Sequence, residues 1–444
     1  MKDGDQDLNN IKRISLSPSV TLNVIPSEKF KVSYLSVYFS RPVDEKEAAK
    51  NALIPEILTR ASKKYPTMTD LSIKLQSLYG ASIDPVNTLM GEAHVFGLYS
   101  SFPENRYAFD DTDILGEVIE LISELLLNPL TDEKGGFDEN IVESEKTKLC
   151  GRIMARINNP ASYAVRRCEE IMCADERFSV SPSGTVESVS SVNAKELYDY
   201  YLSLPGKTAV DIYYAGSADI SLLEEKFTGL FSAFNRPLSL KAVTEVRRSA
   251  SGEVKKVIEE QPVAQGKLTI GLRSGYALGD KDYHIFSLLN SLLGSSPTSK
   301  LFMNVREKMS LCYYCSSRPN ALKGIMTIAS GIEVDNFEKA KDAILDQINA
   351  LKEGDISDFE IESAKKSLIN AYKELTDSPS GLVSWYLTRS FAGLSDTPEE
   401  TAEKILSVTK EELTASAARL SLDTVYFLKG TLDANDIDED EDDE

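Results

Sequence analysis

Apolar residues along the chain follow two spacings, and each predicts a different kind of element. Short segments in which apolar residues alternate with polar ones or form compact runs predict strands, and longer segments with apolar residues at i, i+3 and i+4 predict amphipathic helices. In the first half the predicted order is strands at 20–26 and 31–40, helices at 45–63 and 70–78, strands at 81–86 and 93–101, and helices at 111–127, 137–157 and 162–173. In the second half it is a strand at 267–272, helices at 280–293 and 299–308, strands at 310–318 and 324–331, and helices at 337–351, 358–375 and 382–391.

The two halves also end in the same way. Each closes with the signature of a capped helix, followed by an apolar strand and a Gly-x-x-Asp sequence. Val192 and Val408 mark the helix and lie 216 residues apart (408 − 192), and Gly216 and Gly430 mark the strand end and lie 214 apart (430 − 216). Such close agreement over this distance indicates a long internal repeat.

The repeat and the order of elements predict the fold class. Each half is expected to be an α+β unit in which a mostly antiparallel sheet has helices packed on one side. We predict an N-terminal half at 1–235, a linker at 236–262, a C-terminal half at 263–431 and an acidic tail at 432–444. The tail carries nine acidic residues, and a block of like charge is typical of a disordered segment.

Composition and charge narrow the classes of function. The formal net charge is −21, and without the nine acids of the tail the body carries −12 (−21 + 9). A nucleic-acid surface needs a basic patch that neutralises phosphates, so binding to nucleic acid is not expected. The N-terminus lacks the basic and apolar regions of a signal peptide, and no apolar run reaches the roughly 18 residues of a membrane helix. The sequence therefore predicts a cytoplasmic protein that does not associate with a membrane.

The cysteines do not form the pattern of a disulfide scaffold, because they are few and odd in number. The five are Cys150, Cys168, Cys173, Cys312 and Cys315. The spacing of the last two would suit a redox or zinc pair, but the Tyr-rich segment 311–317 predicts a strand. Residues three apart in a strand face opposite sides, so we interpret both as separate buried or half-buried thiols.

One long segment resembles a known family. From Leu292 to Tyr313 the chain reads Leu-Leu-Gly-Ser-Ser-Pro-Thr-Ser-Lys-Leu-Phe-Met-Asn-Val-Arg-Glu-Lys-Met-Ser-Leu-Cys-Tyr. It closely resembles a signature in the C-terminal half of pitrilysin/insulinase-family zinc peptidases, where a Leu-Gly-Gly turn precedes Ser-Arg-Leu-Phe and an Arg-Glu-Lys-x-Gly-Leu-x-Tyr string. Ser310 replaces the usual Gly, and Ser295-Ser-Pro297 replaces a Gly-rich turn.

With the repeat, the resemblance covers nearly the whole chain. It implies two homologous halves that form a clam-like chamber. Within the family the chain looks most like the bacterial subgroup that lacks the zinc motif and is encoded beside a zinc-bearing relative.

The resemblance also shows where zinc ligands would lie. Active relatives carry His-x-x-Glu-His on the first long helix, where two imidazoles bind zinc and the Glu acts as general base. Glu56 falls at the position of the base, but Leu53 and Ile57 replace the two histidines. Only His94 and His284 exist in the chain, so no histidine pair one helical turn apart can form. We therefore expect no zinc or other cofactor on this chain.

A glutamate from a later helix supplies the third zinc ligand in active relatives. On the helix that resembles it, Glu139, Glu143 and Glu145 could share a face. Without imidazoles beside them, we interpret these carboxylates as a solvated helix face.

The second half keeps a pair that has a role in the family. There, an Arg and a Tyr seven residues apart reach toward the zinc site, hydrogen-bond the substrate backbone and stabilise the oxyanion. Arg306 and Tyr313 keep this spacing, and a guanidinium and a phenol are suitable donors to a carbonyl that gains negative charge. The alternative is that Arg306 pairs with a local acid such as Glu307 and that Tyr313 is only part of a strand.

These features lead to two function hypotheses. In the first, the chain is a zinc-free subunit that contributes peptide binding and the Arg306/Tyr313 donors to a zinc-bearing homologous partner, and zinc is expected only on that partner. In the second, it is an inactive scaffold that binds extended peptides at a sheet edge. The sequence leaves open whether the partner is a heterologous subunit or a second copy, and whether the complex is an enzyme. A hydrolase acting alone is disfavoured, because a Ser or Cys nucleophile needs a nearby His base.

Overall fold

The structure, a computed structural model, describes residues 11–238 and 242–431. The acidic tail predicted at 432–444 lies outside the described residues. Within the described ranges the strands are β1 (Lys12–Ser17), β2 (Val20–Pro26), β3 (Val32–Pro42), β4 (Ser82–Met90), β5 (Ala93–Pro103), β6 (Ala209–Gly216), β7 (Lys255–Gln261), β8 (Gly266–Arg273), β9 (Tyr314–Asn320), β10 (Ile325–Ile332) and β11 (Ser421–Gly430).

The α-helices follow the amphipathic segments of the sequence. In chain order they are α1 (Glu45–Leu58), α2 (Met68–Ser77), α3 (Ile114–Leu127), α4 (Glu139–Met154), α5 (Pro160–Met172), α6 (Val186–Ser190), α7 (Ala194–Leu202), α8 (Ile220–Leu230), α9 (Tyr283–Asn290), α10 (Phe337–Lys352), α11 (Asp358–Leu375), α12 (Pro379–Phe391), α13 (Pro398–Leu406) and α14 (Lys410–Ala417). Two further helical segments, Ser291–Ser295 and Leu301–Lys308, have the wider π-helical winding.

Side-chain caps fix the start of the helices that mark the repeat. The Asn193 side chain accepts a hydrogen bond from the N–H of Glu196 at the start of α7. At the start of α14 the Thr409 side chain accepts from the N–H of Glu412. Each cap satisfies a backbone donor that has no partner inside its helix, so the two helices begin at corresponding points of the repeat.

The two sheets share one strand order. The first is β1-β2-β6-β3-β5-β4, and the second is β7-β11-β8-β10-β9. Each sheet has one parallel pair of neighbouring strands, β2 with β6 in the first sheet and β7 with β11 in the second. All other neighbouring strands are antiparallel. Apart from the additional strand β1, the order and directions agree strand for strand. The predicted α+β class with two related, mostly antiparallel sheets is confirmed.

The second sheet begins inside the predicted linker. Residues 255–261 form β7, which pairs with β11 from Lys255 opposite Thr424 to Gln261 opposite Gly430. The β7 sequence Lys-Lys-Val-Ile-Glu-Glu-Gln is mostly polar, because an edge strand is held by backbone hydrogen bonds on one side and exposes much of its surface. Because β7 is mostly polar, the apolar pattern of the sequence did not predict this strand.

The described residues form two compact units whose boundaries are discontinuous in the chain. The first contains residues up to 154, 180–244 and 375–391, and the second contains 155–179, 245–374 and those from 392 onward. Helix α5 therefore belongs to the unit of the second sheet, and helix α12 belongs to the unit of the first.

In the first unit, helices α1 and α3 pack on the side of the sheet that carries the main core. Val37 and Phe39 of β3 point into this core. Because successive strand residues face opposite sides, Tyr38 lies on the other side, where it is buried beside Tyr213 of β6. Helix α12 packs against β3 and β6, so a helix from the later part of the chain covers these tyrosines.

The second unit repeats this arrangement. Val425 and Phe427 of β11 belong to the main core of the unit. The intervening Tyr426 and the next alternate residue, Leu428, form a separate apolar cluster with Ala164 and Cys168 of α5. Each sheet thus has its principal helical layer on one side and one helix from the other half of the chain against the opposite side.

Candidate functional site

The first part of the site is the region of helix α1 that matches the zinc motif. Leu53 and Ile57 are buried in the main core of the first unit, with 0% and 3% of their surface exposed. Aliphatic side chains have no lone pair for a metal, and these two occupy space inside the core. Zinc does not fit this arrangement, and no group of three or more His, Cys, Asp or Glu side chains in the described part of the chain could hold a metal ion.

Glu56, at the position of the general base, has a fixed partner. Arg152 of α4 places Nη2 2.6 Å from Glu56 Oε1. A guanidinium keeps its positive charge at every physiological pH. The carboxylate is therefore engaged with a permanent cation on the neighbouring helix.

The carboxylates of α4 fall into two groups. Glu139 and Glu143 are exposed and pair with Lys134 and Lys146, as expected for a solvated face. Glu145 does not belong to that face, because its side chain is 1% exposed.

Glu145 is held by two cations instead. Its Oε1 lies 2.7 Å from Arg60 Nε and 2.8 Å from Lys148 Nζ. The prediction of a solvated face was wrong for Glu145, because the packing of α4 against α1 brings Arg60 to it. Buried carboxylates are retained where such partners replace water.

The buried histidine has a structural environment. His94 is fully buried, and both ring nitrogens are occupied: Nε2 lies 2.6 Å from Asn87 Oδ1 and Nδ1 lies 3.1 Å from Asn51 Nδ2. These partners assign Nε2–H as donor and Nδ1 as acceptor. Burial, and then the charge of Arg41, lowers the pKa of His94 to about 3. A neutral imidazole with two amide partners is part of the fold of the first unit.

The second part of the site lies in the second unit, where Arg306 and Tyr313 line one surface cavity of about 440 Å³. Arg306 lies on the π-helical segment Leu301–Lys308, as predicted for the end of this helix. Tyr313 was predicted on the following strand but lies immediately before β9, with its N–H donating to Gly331 O at 2.9 Å.

The turn between these two residues depends on Ser310. This serine has φ of +51°, a left-handed conformation that glycine adopts without steric cost. The family signature has Gly at this position, and the backbone here explains why. The left-handed turn lets the chain reverse after the helix and brings Tyr313 to the cavity that Arg306 lines.

Both donors already have acidic neighbours. Arg306 Nε lies 3.6 Å from Glu307 Oε1, and the guanidinium stands 4.7 Å from the centre of the Phe302 ring. The Tyr313 hydroxyl donates to the Glu333 carboxylate, which raises the pKa of the tyrosine. Arg306 is 40% and Tyr313 54% exposed, so solvent or a ligand can reach both.

Cys312 lines the same cavity. Cys312 is a half-buried and Cys315 a buried free thiol, as predicted, and a hydrogen bond from Cys315 lowers the pKa of Cys312 to about 7. The strand predicted over 311–317 was wrong at its start, because β9 begins only at Tyr314. Cys312 therefore lies in irregular backbone, where alternation of side chains does not apply.

No pattern in the sequence predicts the buried ionic cluster of the second unit. Glu176 accepts from Arg273 at 2.7 Å and from Lys323 at 2.6 Å, and all three side chains are at most 2% exposed. Arg273 also contacts Asp423 of β11 at 3.0 Å. The cluster joins the segment after α5 to the second sheet, so its role is to hold that segment in place.

Across the described ranges, no helix is both long enough and apolar enough to cross a membrane. Two α+β units with one strand order, aliphatic residues at the zinc-ligand positions and an Arg/Tyr cavity define a protein of the metallopeptidase type whose zinc motif is lost.

Comparison with known proteins agrees with this class. Residues 191–368 match the family described as Peptidase M16 inactive domain. The chain is 33% identical over 412 residues to a Bacillus subtilis (strain 168) protein named Probable inactive metalloprotease YmfF, which covers 93% of this chain and 96% of that protein. It is 24% identical over 240 residues to the Uncharacterized zinc protease YmxG of the same organism, with 52% of this chain and 56% of that protein covered.

Solved structures show the same fold. A conserved protein from Enterococcus faecalis V583 superposes with a TM-score of 0.87 at 28% identity, covering 95% of this chain and 99% of that one. A peptidase M16 inactive domain from Pseudomonas fluorescens gives a TM-score of 0.77 at 16% identity over 96% and 99% of the two chains. The chain belongs to the M16, or pitrilysin/insulinase, family of peptidases and is of its inactive type.

Proposed function

We propose that this protein is the zinc-free subunit of a heteromeric M16 peptidase. It binds extended peptides and supplies Arg306 and Tyr313 as hydrogen-bond donors to a reaction whose zinc is held by a homologous partner. The observation that carries the proposal is the shared cavity of Arg306 and Tyr313, retained in a chain whose zinc-ligand positions are filled by Leu53 and Ile57.

The chemistry of the cavity supports this role. Hydrolysis of a peptide bond places negative charge on the carbonyl oxygen, and preorganised donors that meet this charge lower the barrier. A guanidinium and a phenol are both suited to this task. Arg306 and Tyr313 are half-exposed, so a substrate carbonyl can replace their present acidic neighbours, Glu307 and Glu333.

The relatives support a division of labour between two chains. Bacillus subtilis contains both a similar protein named as a probable inactive metalloprotease and a similar protein named as a zinc protease. A pair of this kind in one organism would provide the zinc-bearing partner that the present chain lacks.

One observation favours a second candidate, a catalytically inactive peptide-binding or scaffold protein. Both donors are engaged by carboxylates of the same unit, Arg306 beside Glu307 and Tyr313 with Glu333. A cavity rimmed by these acids would favour a basic peptide and would hold it without chemistry on either chain.

Isolation of the native complex and kinetics of its variants distinguish the two candidates. The chain is purified with its partner from the source organism, and the complex is assayed with a fluorogenic peptide. If Arg306 and Tyr313 act in catalysis, Arg306→Ala and Tyr313→Phe each lower kcat by about 100- to 1,000-fold, the cost of removing one transition-state donor, with assembly unchanged.

Matched controls are available in the same chain. Lys308→Ala removes an exposed cation from the same helical segment, and Tyr107→Phe removes an exposed phenol of the first unit. Both variants should keep the activity of the unmodified complex. Unchanged turnover in the Arg306 and Tyr313 variants of an active complex would reject shared catalysis, and a change in peptide affinity alone would support the scaffold.

A further inference from the structure

The cavity of Arg306 and Tyr313 contains a second kind of chemistry. Cys312 lines it and is half-buried, whereas Cys315, three residues later on β9, is buried with 4% of its surface exposed. The interaction between the two thiols lowers the pKa of Cys312 and raises that of Cys315. One accessible thiol backed by one inaccessible thiol is the arrangement in which the first is attacked from solvent and the second completes a disulfide.

We propose that Cys312 and Cys315 are a redox-active dithiol that forms a reversible disulfide at the wall of this cavity. Cys312 is the attacking thiol, and Cys315 is the resolving thiol. The oxidant is a low-molecular-weight disulfide, RSSR, that enters the cavity from solvent. This site is independent of the proposed peptidase role.

The reaction is a pair of thiol–disulfide exchanges. Cys312 loses its proton to solvent, its sulfur attacks RSSR, and one RS⁻ leaves and is protonated to RSH. Cys315 then loses its proton, its sulfur attacks Cys312 Sγ in the mixed disulfide, and the second RS⁻ leaves. The balance is two cysteine thiols plus RSSR to one protein disulfide plus two RSH, with two electrons passing to RSSR.

The local environment favours Cys312 as the nucleophile. The hydrogen bond from Cys315 lowers the pKa of Cys312 to about 7, while burial acts in the opposite direction and Arg306 adds a smaller favourable charge. The same hydrogen bond and burial raise the pKa of Cys315. The thiolate is the attacking species, so the accessible sulfur is also the more reactive one.

The backbone allows the two sulfurs to approach. Cys312 lies between the left-handed residue Ser310 and the first residue of β9, outside the strand ladder. Cys315 is held on β9 opposite Ser330 of β10. Closing the disulfide therefore moves the irregular segment that carries Cys312 and leaves the strand in register.

The other cysteines do not offer this chemistry. Cys168 and Cys173 are fully buried, and burial raises the pKa of both thiols, that of Cys173 to about 12. Cys150 is half-buried on α4, with its sulfur facing Val186 O and Ser190. Oxidation should therefore be selective for Cys312 and Cys315.

The test treats the full-length protein with glutathione disulfide and maps thiols by peptide mass spectrometry. We expect loss of two of the five free thiols, a Cys312–Cys315 cross-link and full recovery with dithiothreitol. In Cys315→Ser the mixed disulfide should remain on Cys312, because the resolving thiol is gone. In Cys312→Ser neither position should react, and Cys150→Ser should oxidise as the unmodified protein does.

The outcomes separate clearly. Five free thiols under conditions that oxidise a reference dithiol, or adducts mainly on Cys150, would overturn the proposal. A second measurement does not require a disulfide: alkylation of Cys312 by iodoacetamide at pH 7 should be roughly tenfold slower in Cys315→Ala, because a thiol without this donor returns toward the ordinary pKa of about 8.5. Equal rates would contradict the activating hydrogen bond.

Discussion

Individual side chains in this protein show why zinc does not fit the positions of the family's metal ligands in the first unit. The positions of two metal ligands are filled by Leu53 and Ile57 inside the core, and the carboxylate of Glu56 is bound to Arg152. These replacements serve packing and charge neutralisation at once. The region that carries zinc in active relatives is now an ordinary helix–helix contact between α1 and α4.

At the same scale, Ser310 is a strained position in the second unit. Its φ of +51° costs a non-glycine residue on the order of 1 kcal/mol. We expect Ser310→Gly to raise the free energy of unfolding by at most about 0.5 kcal/mol, because the greater entropy of glycine in the unfolded chain offsets much of the relieved strain. Urea denaturation measures the change.

A serine with ordinary backbone geometry provides the control for this prediction. Ser407, at the end of α13, has φ of −83°, so Ser407→Gly should be neutral or destabilising. The strain argument fails if Ser310→Gly is no more stable than Ser407→Gly.

At the scale of elements, helix α5 and the segment after it are held to the second sheet by two different contacts. Ala164 and Cys168 pack on Tyr426 and Leu428. The buried Glu176 then accepts hydrogen bonds from Arg273 and Lys323. Apolar burial positions the helix, and the ionic cluster specifies the path of the chain that follows it.

The ionic cluster predicts that replacing the Glu176 carboxylate by an amide greatly lowers the free energy of unfolding. Glu176→Gln removes the buried negative charge shared by Arg273 and Lys323, although Arg273 keeps its contact with Asp423. Breaking such a buried pair costs about 3–5 kcal/mol. Thermal or urea unfolding measures this loss. Glu139→Gln, which removes an exposed partner of Lys134, is the matched control and should change stability by less than about 1 kcal/mol.

The same residue predicts a dependence on pH. Burial opposes ionisation of Glu176, but the hydrogen bonds from Arg273 and Lys323 lower its pKa overall. The folded pKa is thus below the unfolded value of about 4.3. The contribution to stability is complete above that value and decreases as the pH falls through the folded pKa.

The comparison of variants isolates this contribution. The unmodified protein should lose stability below about pH 4.3 more steeply than Glu176→Gln, which has no carboxyl to protonate there. Parallel stability profiles of the two proteins over that range would show that Glu176 is not the titrating group.

At the scale of the whole molecule, the two compact units are not two continuous pieces of chain. Helix α12 lies in the second half of the sequence but packs on β3 and β6 of the first unit. Helix α5 precedes the second half but packs on β8 and β11 of the second unit. Each unit is therefore completed by a helix that lies beyond its own stretch of sequence.

This exchange predicts the behaviour of a fragment. Residues 1–244 expressed alone lack α12 and leave the sheet side with Tyr38 and Tyr213 uncovered. We expect faster amide hydrogen exchange in β3 and β6 than in the full chain, together with binding of a hydrophobic dye. A synthetic peptide of residues 375–391 should restore protection, whereas a peptide of residues 337–352, from helix α10 of the second unit, should not. Full protection in the fragment alone would contradict the importance of α12.

Much of the fold could be predicted because its signals are local. The alternation of apolar residues in β2, β3 and β5 and the helical spacing in α3 and α10 depend only on neighbours along the chain. The repeat could be recognised for the same reason, because Val192 and Val408 mark one pair of elements with similar local sequence, and Gly216 and Gly430 mark another. The loss of the histidine pair followed from composition, which no tertiary contact can alter.

Only the tertiary structure showed which sheet each helix covers and which charged side chains pair. An amphipathic pattern shows that a face of α5 or α12 is buried, but it does not say which sheet covers it. The contacts of Glu56 with Arg152 and of Glu176 with Lys323 join residues far apart in sequence, and spacing along the chain carries no information about them. The place of Cys312 outside the strand ladder depended on the residue at which β9 begins, because side-chain alternation holds only inside the strand. The sequence by itself determined the elements, their repetition and the absence of a histidine pair, whereas packing decided which sheet each helix completes and which charged groups meet.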